Sequence, residues 1–279
     1  MSQVFDARVC QLGEGPLWHP ERGQLFWFDI LGKRLMSRDG DGQMEWAFDE
    51  HVSAAGWVDS DRLLVASETS LSVFDVETGA RAHVCDLEAD NPVTRSNDGR
   101  ADPQGGFWIG TMGKRAEPYA GAIYRWYRGT LRQLFDRITV SNSICFSPDG
   151  RFAYFTDTRS RRVRRVALDA DGWPDGEAEV FLDLRADEKN PDGAVVDAEG
   201  NIWSAQWGAH RVACYDDRGS FLHAISFPAE QTSCPAFGGD GLSTLFVTSA
   251  AVGLSGEADG QTFAVEVETR GQAEHRVVL

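Results

Sequence analysis

The sequence predicts an all-β fold, a six-bladed β-propeller with four antiparallel strands per blade around a central channel, in one domain spanning residues 1–279. Three observations predict it: a turn signal that recurs six times, a second series of turns interleaved with the first, and the lack of any convincing amphipathic helix.

The first series reads "HPERGQ" (19–24), "VDSDRL" (58–63), "DPQGGF" (102–107), "SPDGRF" (147–152), "DAEGNI" (197–202) and "GGDGLS" (238–243). Behind these turns stand "LFWFDI", "LLVASE", "FWIGTM", "AYFTDT", "IWSAQW" and "LFVTSA", aromatic and β-branched runs mixed with small residues, as expected of strands buried on both faces. The second series lies near Gly40, Gly79, Gly129, Gly172, Gly219 and Gly271, mostly after a third strand such as "SLSVFDV" or "GAIYRWY". The unit is therefore strand, turn, strand, loop, strand, turn, strand. Its marks at Gly23, Asp61, Gly105, Gly150, Gly200 and Gly241 are 38, 44, 45, 50 and 41 residues apart. The segment "FDARVCQL", within residues 1–13, reads as a spare strand that completes the last blade and closes the ring, which removes exposed sheet edges.

Composition narrows the function classes. Against 27 Lys and Arg stand 43 Asp and Glu, a formal charge of −16 that excludes a general nucleic-acid or anionic-membrane surface. The one basic cluster, "RSRRVRR" at 159–165, reads as the solvated face of a strand around Val163. Five widely spread cysteines, without a C-x-x-C pair or zinc spacing, read as reduced and mostly buried thiols. No run reaches the length of a membrane span and the N-terminus lacks a signal-peptide pattern, so the expected location is cytoplasmic.

In a propeller the first strand of each blade lines the channel, so equivalent positions form a ring at one depth. Glu14 lies nine residues before its mark, and Asn97, Asn142 and Asp192 each lie eight before theirs. The same offset in the other blades falls on Ser53 and Ser233, so every ring position is small and polar or acidic. Taken singly, Glu14 reads as a loop charge, Asn97 and Asn142 as turn residues and Asp192 as an Asp-Gly turn. Their shared offset points instead to oxygen donors converging from separate blades, a site for a hard divalent cation such as Ca²⁺, Mg²⁺ or Mn²⁺. His19 and His51 read as surface or structural histidines. Trp207 reads as a core residue, with a place on the pocket wall as the alternative.

At these residues the sequence resembles the gluconolactonase and senescence-marker-protein (regucalcin) family of six-bladed propellers. "GEGPLWHPERGQLFWFDI", "RSNDGRADPQGGFWIGTM", "SNSICFSPDGRFAYFTDT" and "NPDGAVVDAEGNIWSAQW" carry the likeness, in the family's order and near its spacing, over nearly the whole chain. The resemblance implies that Glu14, Asn142 and Asp192 bind one divalent metal directly, among Ca²⁺, Mg²⁺, Mn²⁺, Zn²⁺ and Fe²⁺, with Asp192 doubling as the acid/base residue. It further implies that Arg95 and Asn97 of "RSND", with Glu117 of "AEPYAGAIY", meet a sugar lactone, a water-mediated contact from Asn97 to the metal being open as well. The reaction implied is hydrolysis of an aldonolactone, with the metal as Lewis acid and Asp192 as general base. Two other readings stay open on the same scaffold: a metal-dependent esterase or phosphotriesterase, and a non-catalytic propeller that binds a metal or a protein partner.

Overall fold

In the computed structural model, which describes residues 2–40 and 42–279, the described residues form six four-stranded antiparallel sheets and no α-helix. Each sheet is one blade of a six-bladed β-propeller. Blade 1 runs Gly13–His19, Gln24–Asp29, Arg34–Asp39 and Gly42–Ala47, from the channel outward. The inner strands of blades 2 to 6 are Val52–Trp57, Thr94–Ala101, Ser141–Phe146, Asn190–Val196 and Gln231–Gly238. Blade 6 is completed from the other end of the chain: Gln3–Asp6 pairs antiparallel with Thr262–Glu266. The closing strand thus lies earlier than "FDARVCQL" suggests, because residues 7–10 leave the sheet and turn toward blade 1. Cys10 there packs against Leu25, Trp27 and Met36.

The core is not one mass but six wedges, each filled by two neighbouring blades. Along Gln24–Asp29 the pleat sends Leu25 and Trp27 toward blade 6, and Phe26 and Phe28 toward blade 2. In blade 3, Phe107 and Ile109 face blade 2 while Trp108 faces blade 4. A second strand sandwiched this way must be apolar on both faces, which is why "LFWFDI" and "FWIGTM" read as continuous apolar runs. Outer strands lack the second neighbour, and Gly42–Ala47 alternates exposed with half-buried residues. The basic run behaves the same way: in Arg162–Leu168, Val163 is buried and the arginines around it are not.

All six inner strands carry a register shift near their N-terminal ends, at Glu14/Leu17, Val52/Ala54, Ser96/Gly99, Asn142/Cys145, Pro191/Ala194 and Thr232/Pro235. These bulges fall on the ring residues. A bulge bends the strand and re-aims the side chains beside it. In blade 1 it depends on Gly15, whose φ of +53° suits glycine and where an added Cβ would lie 2.2 Å from the Ser53 carbonyl oxygen.

The other end of the channel is closed by a segment the repeat did not announce. Gly271 bridges to Asp197 of blade 5, and Gln272 Nε2 donates to the carbonyls of Phe146 and Val196 in blades 4 and 5. The Glu274 carboxylate pairs with Arg100 of blade 3, and its backbone carbonyl accepts from Trp57 Nε1 of blade 2 at 2.8 Å. Val277 sits in the wedge between blades 2 and 3. All these partners lie at the C-terminal ends of inner strands, away from the bulges.

Candidate active site

The ring residues converge as their offset predicts. Glu14, Asn97, Asn142 and Asp192, together with Arg95, line one solvent-open cleft of about 350 Å³, and each is no more than 5% exposed. A relay of hydrogen bonds holds them across three blades. Arg95 Nη1 donates to Asn97 Oδ1 at 2.7 Å, and Asn97 Nδ2 donates to Asn142 Oδ1 at 3.0 Å. Asn142 Nδ2 donates in turn to Thr158 Oγ1 at 2.9 Å, and the Thr158 hydroxyl donates to the Pro191 carbonyl at 2.8 Å. Pro191 immediately precedes Asp192, whose own carbonyl accepts from Ser143 Oγ at 2.5 Å. Because Asn97 commits its amide nitrogen to Asn142, the Asn142 oxygen keeps one lone pair for a further partner.

Ser53 and Ser233 share the ring's depth and have another task. Ser53 Oγ donates to Ser96 Oγ at 2.8 Å, and Ser233 Oγ lies 2.9 Å from Thr248 Oγ1 and donates to the Gly13 carbonyl. They fasten adjacent inner strands and present nothing to the cleft. Glu117 stands outside the constellation. It lies on the loop between Phe107–Gly113 and Gly121–Tyr127, half-exposed, and its Oε2 accepts from the Arg115 backbone N–H at 3.0 Å. Its neighbour Ala116 does reach the cleft wall. His19 is buried with Nε2 2.9 Å from the Asp59 carbonyl, and His51 Nδ1 lies 2.6 Å from Glu68, so both are structural.

Sequence reasoning missed Met112, Thr158 and Val252, which line the wall, and gave Trp207 a place there only as the alternative. In an antiparallel hairpin the end of the second strand lies beside the start of the first, so the loops following second strands form the mouth. Searching the ends of those strands and the residues just beyond them would have found these residues. Trp207 is half-buried on this wall, not in the core.

Burial dominates the electrostatics. It pushes Glu14 up to about 8, with the Asp98 charge adding to the effect, and raises Asp192 well above the carboxylate range, reinforced by Glu14 and Asp98. Asp98, which accepts from the Ile144 N–H at 2.7 Å, is itself raised to about 6 by burial. Burial also lowers Arg95, to about 10. Glu14 and Asp192 thus share the Arg95 guanidinium while Asp98 faces Arg100, which leaves the cleft with a deficit of positive charge that a divalent cation would fill. Among the described residues no group of three or more His, Cys, Asp and Glu forms a metal cluster. The donors available here are two carboxylates and an amide oxygen, the oxygen chemistry that suits hard cations.

Known proteins resemble this chain over nearly its whole length. Residues 12–251 match the family model described as SMP-30/Gluconolactonase/LRE-like region. A putative sugar lactone lactonase of Rhizobium meliloti is 40% identical over 98% of this chain and 95% of its own length. The L-arabinolactonase of Azospirillum brasilense is 36% identical over 95% and 91%. Among solved structures, a calcium-binding protein, regucalcin, from Agrobacterium tumefaciens superposes with a TM-score of 0.97 at 41% identity, covering 100% of this chain and 98% of that one.

Proposed function

The chain belongs to the SMP-30/gluconolactonase/LRE-like family, and on that premise we propose that it hydrolyses an aldonolactone, the cyclic ester of a sugar acid, with a divalent cation held by Glu14, Asn142 and Asp192. The observation that carries the reading is the convergence of Glu14, Arg95, Asn97, Asn142 and Asp192 on one cleft at one depth of the channel. Relatives named as sugar lactone lactonase and L-arabinolactonase supply the substrate class, and the regucalcin described as calcium-binding supports the cation.

When bound, the cation supplies Lewis acidity toward the ester carbonyl oxygen. Asp192 accepts a proton from the attacking water as its oxygen bonds to the carbonyl carbon, and the ring C–O bond breaks with return of that proton to the leaving ring oxygen. Glu14 shares the cation's charge and keeps Asp192 from bearing it alone. Arg95, locked by its hydrogen bond to Asn97 Oδ1, presents its remaining N–H donors to the substrate's polar edge, and Asn97, whose amide nitrogen is committed to Ser141 and Asn142, offers only its oxygen as an acceptor. Trp207 and Met112 line the cleft where they cover the substrate's C–H faces and shield the site from bulk water. Glu117 serves from the rim, one residue from the wall.

The deciding experiment is hydrolysis of C5 and C6 aldonolactones by metal-stripped protein, with Ca²⁺, Mg²⁺, Mn²⁺, Zn²⁺ and Fe²⁺ restored singly, beside aryl-ester and organophosphate panels. Activity on lactones that returns with a divalent ion is expected. Turnover confined to esters or organophosphates, or lactone turnover indifferent to stripping, would overturn the assignment.

A further inference from the structure

The basic run "RSRRVRR" is not uniform in the structure. Arg161 Nε donates to Asn190 Oδ1 at 3.0 Å, Arg162 meets Asp183 at 3.3 Å, and Arg165 meets Glu179 at 2.6 Å. Arg164 donates to the Ala178 carbonyl. Within this run only Arg159 leaves its guanidinium without a hydrogen bond, ion pair or ring contact to the described residues, although the chain carries an excess of carboxylates. Arg159 is exposed and lines the candidate cleft, where the one other cation, Arg95, is buried and already bonded.

Its placement is fixed. Arg159 sits in the turn Thr158–Ser160, entered by Asp157, whose carboxylate accepts from the backbone of Thr139, Val140 and Arg159. The turn ends at Arg161 with φ +53°. Its first residue, Thr158, is the one that accepts from Asn142 and donates to Pro191. One three-residue turn therefore joins the floor of the cleft to a cation at its mouth. A lactone whose carbonyl lies at Asp192 directs its far end toward that mouth.

Resting on the lactonase reading, we propose that Arg159 is a specificity residue selecting lactones with an anionic group on the carbon furthest from the carbonyl, a carboxylate, phosphate or sulfonate. A charge-assisted hydrogen bond at an exposed rim forms equally in ground and transition states, so its effect falls on KM and leaves kcat in place.

The test compares wild type with Arg159→Gln on a neutral hexonolactone and its 6-carboxylate, 6-phosphate and 6-sulfonate counterparts. A fall of about 10-fold in kcat/KM on an anionic lactone, carried by KM, is expected, with the neutral parent changed by less than about twofold. The arm that falls furthest identifies the anion. Equal losses on neutral and anionic lactones, or none on any anionic one, would overturn the proposal. If wild type hydrolyses no lactone at all, the functional reading fails separately, and titration calorimetry with ring-opened aldonate and aldarate decides the role of Arg159. Tighter aldarate binding that Arg159→Gln abolishes sustains it; no preference for aldarate overturns it.

Discussion

Asp192 bears two tasks in the proposed reaction, and substitution separates them. Asp192→Asn retains one oxygen donor and loses the proton acceptor, so at saturating cation kcat should fall by about 10² or more with KM little changed. Full activity would remove the base. Arg95→Ala breaks the first link of the relay and should lower kcat/KM several-fold more than Glu117→Ala, since only Arg95 lies in the cleft. Equal losses in steady-state assays would show that the 114–120 loop closes on substrate. Glu14 sets a pH dependence. Its carboxyl is raised in the fold from 4.5 to about 8, so between those values the folded protein holds a proton that the unfolded chain has released. Stability of the cation-free protein therefore falls as pH rises through that window. A bound cation takes the proton's place, so the melting-temperature gap between loaded and stripped protein should widen from about pH 5 to about pH 8. A gap independent of pH would place the cation elsewhere. At this scale the offset count was informative because a ring needs one polar group per blade. It could not separate ligands from fasteners: a serine hydroxyl reads alike whether it meets the cleft or the next strand. Nor does composition place Glu117 at the rim rather than on the cleft wall, since Ala116 and Tyr119 both take left-handed φ and turn its loop.

The strands and turns were legible because sandwiching between blades forces apolar residues on both faces and tight turns force glycine. The six bulges were not, since no common residue marks them: Gly15, Gly99, Pro191 with Gly193, and Pro235 fall in four, while those at Ser53 and Ser143 carry neither glycine nor proline. They make a direct prediction. Gly15→Ala and Gly23→Ala impose similar backbone strain at φ +53° and +61°, yet the added Cβ meets the Ser53 carbonyl in the first and nothing within 4 Å in the second. In urea titrations Gly23→Ala should lose about 1 kcal/mol, and Gly15→Ala at least about 2 kcal/mol more together with cation affinity, since Glu14 is displaced. Equal losses would mean that the bulge tolerates the close approach.

At the level of the whole molecule, ring closure is secured twice, by Gln3–Asp6 within blade 6 and by residues 271–278 laced across four blades. The repeat revealed the first and hid the second, because a segment that belongs to no blade leaves no periodic trace. Glu274→Gln strands the buried Arg100 charge and should destabilise by about 3 to 5 kcal/mol, read as a lower denaturation midpoint; a smaller effect would show that water reaches Arg100.

That lacing makes the channel a cul-de-sac. Whatever reaches Asp192 has entered by the bulged end and must back out the same way, so nothing can be threaded through the propeller. A free sugar ring or the tip of a chain can be served, but the middle of a polysaccharide cannot. In the proposed reaction the acid formed on ring opening would leave by that single exit, past Arg159 at the mouth.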